Sequence, residues 1–588
     1  MISLEKKQVY IPSPGKVSLL ANSKLTARFQ GNIDYLKYLL EHSGEFMLSA
    51  FSHRSYSPGK LLERVWDGEY AGKWLDAATR GAIHNNDSDF ITAIDEFASR
   101  LREFQQPDGF MGQPMPTDRD IDKWEIGWNI WTQWTSMIGL LTHYELRGNK
   151  QSLECAKNIG DWVVRTYTPI KDQGADFLKQ GIGYTNLAVI NQMMRLHQHT
   201  QNQNYCFFVK SVITKSETLQ KMLQTGRPNL VHPYMLGAVL TGMIDFSVAS
   251  GDEKMFDTTV TIWREIVANH LFPTGSLGED EDLYSGTLKD NPDGKLQETC
   301  ATTEWIFLTQ RLYELTGEGE FADALEKTTY NALLAAQSDD GMKWCYYTPL
   351  RYSKHFFHGP TRCCFWSGPR GIARIPSMIY AYRENEIIVN FFESSKVIFE
   401  KPNGPVEIEQ ESQFPATGSS EIVISSPIGW QGIISIRIPK WSSNFSVRVA
   451  GIEQPLNRKD SYISIKLGGA SRYKIHVYFD MPLIKKIFSG ENYALQRGPE
   501  ILSLDLRDNT DTWVGENDLI SIPKEICTEK AMGENPWPGF KSTPERRRYS
   551  IKLNDSRTVE GKNFIFTPYA DAGNDGAAFR TIFPLAAE

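Results

Sequence analysis

The stretch NIWTQWTSMIGLLTHYEL (129–146) decides the fold of the larger, N-terminal part of this chain. Its apolar residues recur at i, i+3, i+4 and i+7, the spacing of one face of an α-helix. The same period returns in IDYLKYLLEH (33–42), LECAKNIGDWVVRTY (153–167), YTNLAVINQMMRLHQHT (184–200), MLGAVLTGMIDFSVAS (235–250), FDTTVTIWREIVANHLF (256–272), TTEWIFLTQRLYELTG (302–317) and FADALEKTTYNALLAA (321–336). With weaker segments near 71–84, 89–105, 205–223 and 370–382, the pattern predicts about a dozen helices.

A dozen helices pair as roughly six hairpins, which close into an (α/α)₆ barrel. After residue 384 the period changes to two, in EIIVNFFES (386–394), VEIEQES (406–412), GIISIRIPK (432–440), FSVRVAG (445–451), SYISIKL (461–467) and YKIHVYFD (473–480). Short alternating runs bounded by Gly, Pro, Asn and Ser are typical of a β-sandwich. The sequence therefore predicts a multidomain α+β protein. Its parts are N-terminal strands that join the sandwich (1–30), a barrel (31–383), a β-sandwich (384–505) and a C-terminal β or irregular region (506–588).

Composition excludes several classes of protein. The chain has 588 residues, too many for a single core, and its net charge of −8 offers no basic stripe for a nucleic acid. Seven cysteines make no disulfide framework, and no run of 18 apolar residues could cross a membrane. The first residues, MISLEKKQVYIPSPGK, lack an apolar signal segment. We expect a cytoplasmic protein, or a periplasmic one if a signal peptide has been removed. The 15 Trp and 24 Tyr favour a carbohydrate partner, although aromatic cores look similar.

Two short motifs carry the chemistry of the chain. They are QETCATTEW (297–305), with Glu298 and Cys300, and TRCCFWSGPRGIARIP (361–376), with the adjacent Cys363 and Cys364. Adjacent cysteines cannot easily bridge to each other. Three thiolates and one carboxylate do complete a tetrahedral set for Zn²⁺. The alternative is that these are buried free cysteines that act as small apolar residues.

These motifs, with WDGEYAGKWLDAA (66–78), QQPDGFMG (105–112), DMPLIKKIF (480–488) and YALQRGPE (493–500), resemble glycoside hydrolase family 127. The resemblance implies an (α/α)₆ barrel with β-sandwich appendages. It also implies retaining exo-hydrolysis of a terminal sugar, best known for β-L-arabinofuranose. In this family a Glu and three Cys hold zinc, so Glu298, Cys300, Cys363 and Cys364 are the implied ligands. Cys363 is the implied nucleophile as well.

The acid/base is predicted in the loop FPTGSLGEDEDLYSGTLKDNPDGKLQETC (272–300), because the family places a Glu in a glycine-containing loop before its ExC motif. Glu279 follows a glycine and is the first candidate, although it lies three residues beyond the usual spacing. Glu281 fits another placement of the gap, and Asp282 is a third candidate. The alternative is that this acidic segment is a solvated turn.

The chain also departs from the family pattern. Lys73 and Trp134 stand where the family has histidines, and Arg227 in RPNLVHP (227–233) replaces a third; Phe365 follows the cysteine pair where the family has Pro. Lys73, Trp134, Arg227 and Tyr347 are the predicted substrate-binding residues. Two cations in a pocket would suit a carboxylated sugar, because Arg offers a bidentate fork. The alternative is that both cations lie at the surface.

The sequence therefore predicts a zinc-dependent retaining exo-glycosidase that acts on plant-derived glycans. The leading substrate is a β-L-arabinofuranoside, and the alternative is an acidic branched pectin sugar such as aceric acid. A sugar epimerase or lyase on the same barrel is a further alternative, and the loss of pocket histidines counts against it. A non-catalytic sugar-binding protein with structural zinc is the alternative from another class. We expect a carbohydrate substrate, no nucleic-acid or membrane partner, and a homodimer as the candidate assembly.

Overall fold

Helices dominate the chain from Lys24 to Met378, and strands dominate after it. The computed structural model describes residues 8–20, 23–52, 66–112, 126–167, 178, 182–230, 232–284, 295–456, 461–488, 492–510, 520–521, 529–535, 546–555 and 562–584. Residues 1–7 of the predicted N-terminal strands, and much of the predicted C-terminal region, lie outside these ranges. Within the described residues, every helix is too short or too polar to traverse a lipid bilayer.

The helices are α1 Lys24–Ser52, α2 Glu69–His84, α3 Ser88–Arg102, α4 Ile126–Arg147, α5 Lys150–Tyr167, α6 Val189–Thr200, α7 Gln203–Lys215, α8 Glu217–Thr225, α9 Pro233–Ser250, α10 Glu253–Asn269, α11 Thr299–Thr316, α12 Gly319–Thr328, α13 Leu334–Ala336, α14 Cys364–Ile372 and α15 Ile375–Met378. A 3₁₀ turn, Ile182–Ala188, leads into α6.

In the described part of the chain, α2, α4, α6, α9, α11 and α14 form an inner ring, in which each helix packs on the next and α14 returns to α2. The outer partners of these helices in the ring include α1, α3, α5, α7, α10 and α12. This arrangement confirms the predicted (α/α)₆ barrel. The sequence of α9 is apolar on nearly all sides because the helix is buried between its neighbours.

Two glycines, Gly72 and Gly139, allow the backbones of α2 and α4 to pack closely in the inner ring. A Cβ at Gly72 of α2 would lie 1.9 Å from the carbonyl oxygen of Thr135 of α4, and one at Gly139 would lie 2.6 Å from the carbonyl of Gly72. Real Cβ atoms cannot approach backbone oxygens so closely, and small residues allow helix backbones to meet. This contact fixes α2, which carries Lys73, against α4, which carries Trp134.

Two predicted helix boundaries are wrong. Helix α1 begins at Lys24, before the barrel boundary predicted at residue 31, because the Ser23 hydroxyl accepts a hydrogen bond from the Thr26 amide at 3.0 Å and caps the helix there. The helix predicted near 370–382 starts earlier, at Cys364, and its last residues form a strand. Tyr380–Arg383 is a strand because it pairs with Glu386–Val389 across a tight turn.

The strands are β1 Val17–Leu19, β2 Trp344–Cys345, β3 Arg351–Tyr352, β4 Phe356–Phe357, β5 Tyr380–Arg383, β6 Glu386–Val389, β7 Ser395–Phe399, β8 Val406–Ser412, β9 Ser419–Ser425, β10 Gln431–Arg437, β11 Phe445–Val449, β12 Ile452–Glu453, β13 Tyr462–Gly468, β14 Arg472–Phe479, β15 Leu483–Phe488, β16 Asn492–Arg497, β17 Glu500–Asp505, β18 Ile520–Ser521, β19 Glu529–Asn535, β20 Arg546–Asp555, β21 Lys562–Pro568, β22 Phe579–Arg580 and β23 Ile582–Pro584.

Two sheets form the sandwich that follows the barrel. One has the order β1-β7-β8-β9-β14-β11-β12, and the other has the order β13-β10-β6-β5. Residues buried on one face alternate with exposed or half-buried residues in β7, β8, β13 and β14, as their period of two predicts. At the edge of the larger sheet Val17 of β1 lies opposite Val397, so an N-terminal strand does join the sandwich.

A third sheet follows. It begins at β15, before the domain boundary predicted at residue 505. Strands β15, β16 and β17 pair in that order, and β16 also pairs with β23 while β17 pairs with β21 and β22, so none of the three joins the sandwich. Their register is set by antiparallel partners that lie far along the chain, such as Leu504 opposite Phe566. A run of alternating residues gives no information about which distant strand will pair with it. Strand β22 also pairs with β3, which connects this sheet to the loops of the barrel.

Candidate metal centre and active site

The structure brings the two motifs together at one end of the barrel. The ligand atoms of Glu298, Cys300, Cys363 and Cys364 all lie within 4.8 Å of one another. The Cys364 Sγ lies 3.4 Å from both the Cys300 Sγ and the Glu298 Oε1. The Cys363 Sγ lies 3.9 Å from both the Cys364 Sγ and the Glu298 Oε1. Residues about sixty positions apart in sequence therefore form one compact donor set.

Helix starts place these four side chains. Glu298 immediately precedes α11, and Cys300 lies in its first turn. Cys363 immediately precedes α14, and Cys364 is its first residue. The N-terminal end of a helix carries partial positive charge, which stabilises a nearby thiolate or carboxylate. Two helix N-termini of the inner ring thus point at the same anionic cluster.

The donor set fits a zinc ion. Sulfur atoms bound tetrahedrally at the usual Zn–S length are about 3.8 Å apart, close to the spacings in this cluster. The Glu298 Oε2 is a buried carboxylate oxygen with no hydrogen-bond partner. A buried carboxylate oxygen is rarely left unpaired, so this atom also suits a metal ligand. Because the three cysteines and Glu298 converge on one point, the alternative that these are separate buried cysteines acting as small apolar residues is disfavoured.

Electrostatics distinguish the three thiols. Hydrogen bonds from Cys300 and Cys364, with the positive charge of Lys73, hold the pKa of Cys363 well below its usual value. Burial raises the pKa of the Cys300 and Cys364 thiols. Burial, together with the charge of Cys363, raises the pKa of Glu298 to about 8. Cys363 is also half-buried while the other two thiols are buried, so it is the sulfur that a substrate can reach.

The acidic segment is a tight turn beside this cluster. Glu279 and Asp282 form its base through reciprocal backbone hydrogen bonds of 2.8 and 3.0 Å. Asp280 and Glu281 occupy its tip with φ of 52° and 64°, as both central residues of a type I′ turn do. The side chain of Glu279 is buried at the base, and Asp282 is exposed.

Glu281 is the carboxylate of this turn with contacts that lead to Cys363. Its Oε1 accepts hydrogen bonds from the hydroxyls of Tyr346 at 2.8 Å and Tyr347 at 2.9 Å. The same Tyr346 hydroxyl lies 3.5 Å from the Cys363 Sγ. The nearby His232 and the hydrogen bonds from Tyr346 and Tyr347 lower the pKa of Glu281 although burial opposes them. Two of the predicted site residues, Tyr347 and Glu281, therefore contact each other beside the cysteine cluster.

His232 belongs to the site although the sequence analysis did not select it. Its Nε2 lies 3.7 Å from the Glu281 Oε2, and its buried Nδ1 has no hydrogen-bond partner. Burial alone would lower the pKa of His232, but the nearby Glu281 carboxylate and the charges of Glu298 and Cys363 raise it. The signal was present in RPNLVHP, whose histidine directly precedes α9. The site therefore has a histidine at a position other than the three that the family pattern compares.

Lys73 lies in the barrel and is fully buried. Its Nζ lies 2.8 Å from the Glu69 Oε2 and 4.9 Å from the ring centre of Tyr234. Trp131 also donates to the Glu69 Oε2 at 2.8 Å, while burial raises the pKa of Glu69 to about 7. The ammonium of Lys73 is thus paired with a carboxylate of the protein.

Two other predicted substrate-binding residues lie in different surroundings. Trp134 is buried, donates its Nε1 hydrogen to the Asn191 Oδ1 at 2.7 Å and packs on Trp131 at a ring distance of 4.7 Å. The prediction of Arg227 as a pocket residue is wrong. Its side chain is 74% exposed and lies 3.8 Å from the Glu265 carboxylate. The left-handed Gly226 ends α8 and turns the chain outward there.

An (α/α)₆ barrel whose inner helices present a cluster of three cysteines and a glutamate beside a second carboxylate is compatible with a carbohydrate-active enzyme. Comparison with known families agrees. Residues 22–377 match the model of the β-L-arabinofuranosidase GH127 catalytic domain, and residues 386–481 match the model of the GH127 middle domain. The chain belongs to glycoside hydrolase family 127 and is a β-L-arabinofuranosidase-like glycosidase.

Individual relatives have the same fold at low sequence identity. The chain is 23% identical over 517 residues to a non-reducing end β-L-arabinofuranosidase of Bifidobacterium longum subsp. longum, covering 75% of this chain and 76% of the relative. A crystallised GH127 β-arabinofuranosidase superposes with a TM-score of 0.81 at 19% identity, covering 98% of both chains. A GH127 β-L-arabinofuranosidase from Geobacillus stearothermophilus T6 superposes with a TM-score of 0.77 at 18% identity, covering 97% of this chain and 100% of the other.

Proposed function

We propose that this protein releases terminal β-L-arabinofuranose from plant-derived glycans with retention of configuration, with Cys363 as the nucleophile. The observation that carries the proposal is the convergence of Glu298, Cys300, Cys363 and Cys364 within 4.8 Å, with Cys363 the more accessible thiol of its pair. The relatives named above as β-L-arabinofuranosidases support the choice of sugar.

In the first step the Cys363 thiolate attacks the anomeric carbon, and a C–S bond forms as the bond to the leaving oxygen breaks. Glu281 donates its proton to that oxygen. In the second step Glu281 takes a proton from water, the water oxygen bonds to the anomeric carbon, and the C–S bond breaks to return the thiolate. Two displacements at one carbon give net retention.

Zinc is the proposed metal, held by Glu298, Cys300, Cys363 and Cys364, and when bound it would keep the cysteines deprotonated. The chain itself contributes two helix N-termini and Lys73 to stabilise the negative charge of the cluster. Burial of Cys300 and Cys364 excludes water from their side of the cluster.

Glu281 is the proposed acid/base in place of Glu279, the first candidate from sequence. Its tyrosine partner Tyr346 contacts Cys363, while Glu279 lies at the base of the turn. The carboxyl must carry a proton for the first step, so we expect a bound substrate to displace water and raise the pKa of Glu281.

A neutral sugar is favoured over a carboxylated one. The acidic-sugar hypothesis needed two uncompensated cations in the pocket. Arg227 faces solvent, and Lys73 is fully buried and already paired with Glu69 at 2.8 Å. Neither cation is therefore available to a substrate carboxylate, and the aceric-acid alternative loses its support.

The test compares the wild type with Cys363→Ala and with Cys206→Ser, a control at a half-buried thiol outside the cluster. We expect hydrolysis of an aryl β-L-arabinofuranoside by the wild type and the control, and none by Cys363→Ala. Elemental analysis of the untreated wild type should find about one zinc per chain, since the cluster supplies one complete ligand set. Full activity in Cys363→Ala, or a wild type without metal, would exclude the mechanism.

A further inference from the structure

A groove outside the active site lies where the barrel, the sandwich and the C-terminal sheet meet. Its volume is about 840 Å³, and its walls come from α10, α12, the segment 440–443 and β15. Pockets that bind drug-sized ligands span roughly 300–1,000 Å³. The groove is therefore large enough for a short oligosaccharide. None of its described lining residues belongs to the cysteine cluster or contacts Glu281.

Aromatic rings line the groove. Trp441 is half-buried, and its ring is fixed because its Nε1 donates to the Glu326 Oε2 at 2.8 Å. Tyr284 and Phe488, stacked with their ring centres 5.4 Å apart, are buried beside it and only 3% and 8% exposed. Ile487 of β15 is 68% exposed at the rim. Trp441 is therefore the ring that a ligand can reach, and a rigid aromatic face of this kind binds the apolar face of a sugar ring at low entropic cost.

The charges of the groove are unbalanced. Its acidic residues are already paired, since Glu320 binds Arg264 while Asp323 and Glu326 both bind the buried Arg437. Its three lysines are Lys327, Lys440 and Lys486. Within the described residues no carboxylate lies within ion-pair distance of these lysines. Burial of Lys327, together with the charge of Lys486, lowers the pKa of Lys327 to about 8, as expected for an ammonium that lacks a counter-ion.

We propose that this groove is a second carbohydrate-binding site, which takes an oligosaccharide that carries carboxylate groups. The Trp441 ring would contact a sugar ring, and Lys327 and Lys486 would bind the carboxylates. A neutral oligosaccharide would leave both ammonium groups without a counter-ion. A simple inorganic anion would leave Trp441 and Ile487 uncovered. The site would hold the enzyme on an acidic glycan while the barrel removes neutral terminal sugars.

Isothermal titration calorimetry tests this proposal with three probes. They are a galacturonic acid tetrasaccharide, a neutral galactose tetrasaccharide and inorganic phosphate. The variants are Lys327→Gln/Lys486→Gln and the matched control Lys343→Gln/Lys466→Gln, whose lysines are exposed and do not line the groove. Both double variants change the net charge equally, so they separate a local effect from a general one.

We expect the acidic tetrasaccharide to bind the wild type and the control equally, and the groove variant at least about tenfold more weakly. The neutral tetrasaccharide should bind the wild type at least about tenfold more weakly than the acidic one. Hydrolysis of a small aryl arabinoside should be the same in all three proteins. Undetectable binding to the wild type, equal binding to all proteins, phosphate binding as tight as that of the tetrasaccharide, or lost hydrolysis in the groove variant would each overturn the proposal.

Discussion

At the scale of single residues, Glu281 is the side chain on which the proposed acid/base step depends. Its Oε1 accepts from two tyrosine hydroxyls, one of which lies 3.5 Å from the Cys363 Sγ. Replacing a general acid or base typically costs on the order of 10²- to 10⁴-fold in rate. We expect Glu281→Gln to lose that much in kcat/KM with its zinc content unchanged. The control is Asp282→Asn, an exposed change in the same turn, which should keep near wild-type activity. Greater loss in Asp282→Asn than in Glu281→Gln would contradict the assignment.

We expect His232 to lower the pKa of Glu281 in the free enzyme. The interaction with the nearby His232 is the largest cause of the lowered pKa of Glu281, so removing the imidazole should raise that pKa. The first step needs a protonated Glu281, and activity therefore falls as pH rises through its pKa. In His232→Gln we expect the alkaline limb of the kcat/KM profile to move to higher pH. Comparison of full profiles measures this shift, and an unchanged or acid-shifted limb would show that His232 does not act on Glu281.

Lys73 should matter for stability, while Arg227 should not. Breaking a buried ion pair from one side costs about 3–5 kcal/mol because the remaining charge is unpaired. Lys73→Met should lower the free energy of unfolding by that amount, and Glu69→Gln/Lys73→Met should recover much of it. Arg227→Met removes the same charge at the surface and should leave both stability and activity nearly unchanged. Urea unfolding measures the stability of each variant, and an aryl arabinoside assay measures activity. An unchanged free energy of unfolding in Lys73→Met would contradict the burial of the ion pair.

These residues also indicate how far sequence could predict the site. The four residues of the cysteine cluster could be selected because their donor types and the order of the two motifs are written in the chain. Arg227 could not be placed, because its direction depends on how Gly226 ends α8. Glu281 could not be separated from Glu279, because the choice depends on positive φ at Asp280 and Glu281. His232 was missed because the histidine, one position before a proline, looks like an ordinary helix start.

At the scale of elements, the loop before α11 is held by the C-terminal region. Gln297 has a positive φ of 56°, and its Nε2 donates to the Thr348 carbonyl at 2.7 Å. The Tyr569 hydroxyl lies 3.1 Å from the same nitrogen and donates to the carbonyls of Thr348 and Pro349. A backbone held in the left-handed region next to Glu298 needs such support. The C-terminal region therefore stabilises the loop that precedes Glu298.

Tyr569→Phe removes that hydroxyl from a buried network. The unpaired groups left behind should cost about 1–3 kcal/mol of stability. Displacement of the Gln297 loop should also lower kcat/KM, since Glu298 follows directly. Tyr478→Phe is the control, because Tyr478 is an exposed tyrosine of the sandwich. Thermal unfolding measures the stability of both variants, and steady-state kinetics measures their kcat/KM. Equal stability and equal kcat/KM in the two variants would show that Tyr569 does not support the loop.

At the scale of the whole molecule, the order of a helical barrel followed by β domains could be predicted, because the apolar period changes from 3.6 to 2 near residue 384. The partner of each strand could not be predicted, since period alone says which face is buried but not which distant strand lies beside it. The assignment of β15, β16 and β17 to the C-terminal sheet is the main consequence. The homodimer stays a prediction.

The central claim is that Cys363 makes this enzyme a retaining glycosidase, and the configuration of the first product tests it most directly. Proton NMR during hydrolysis of an aryl β-L-arabinofuranoside follows the anomeric signal before the free sugar equilibrates. Attack by the thiolate followed by attack by water predicts that the first arabinose released is the β anomer, with the α anomer appearing later. Initial release of the α anomer would mean a single direct displacement by water, and would contradict Cys363 as the nucleophile.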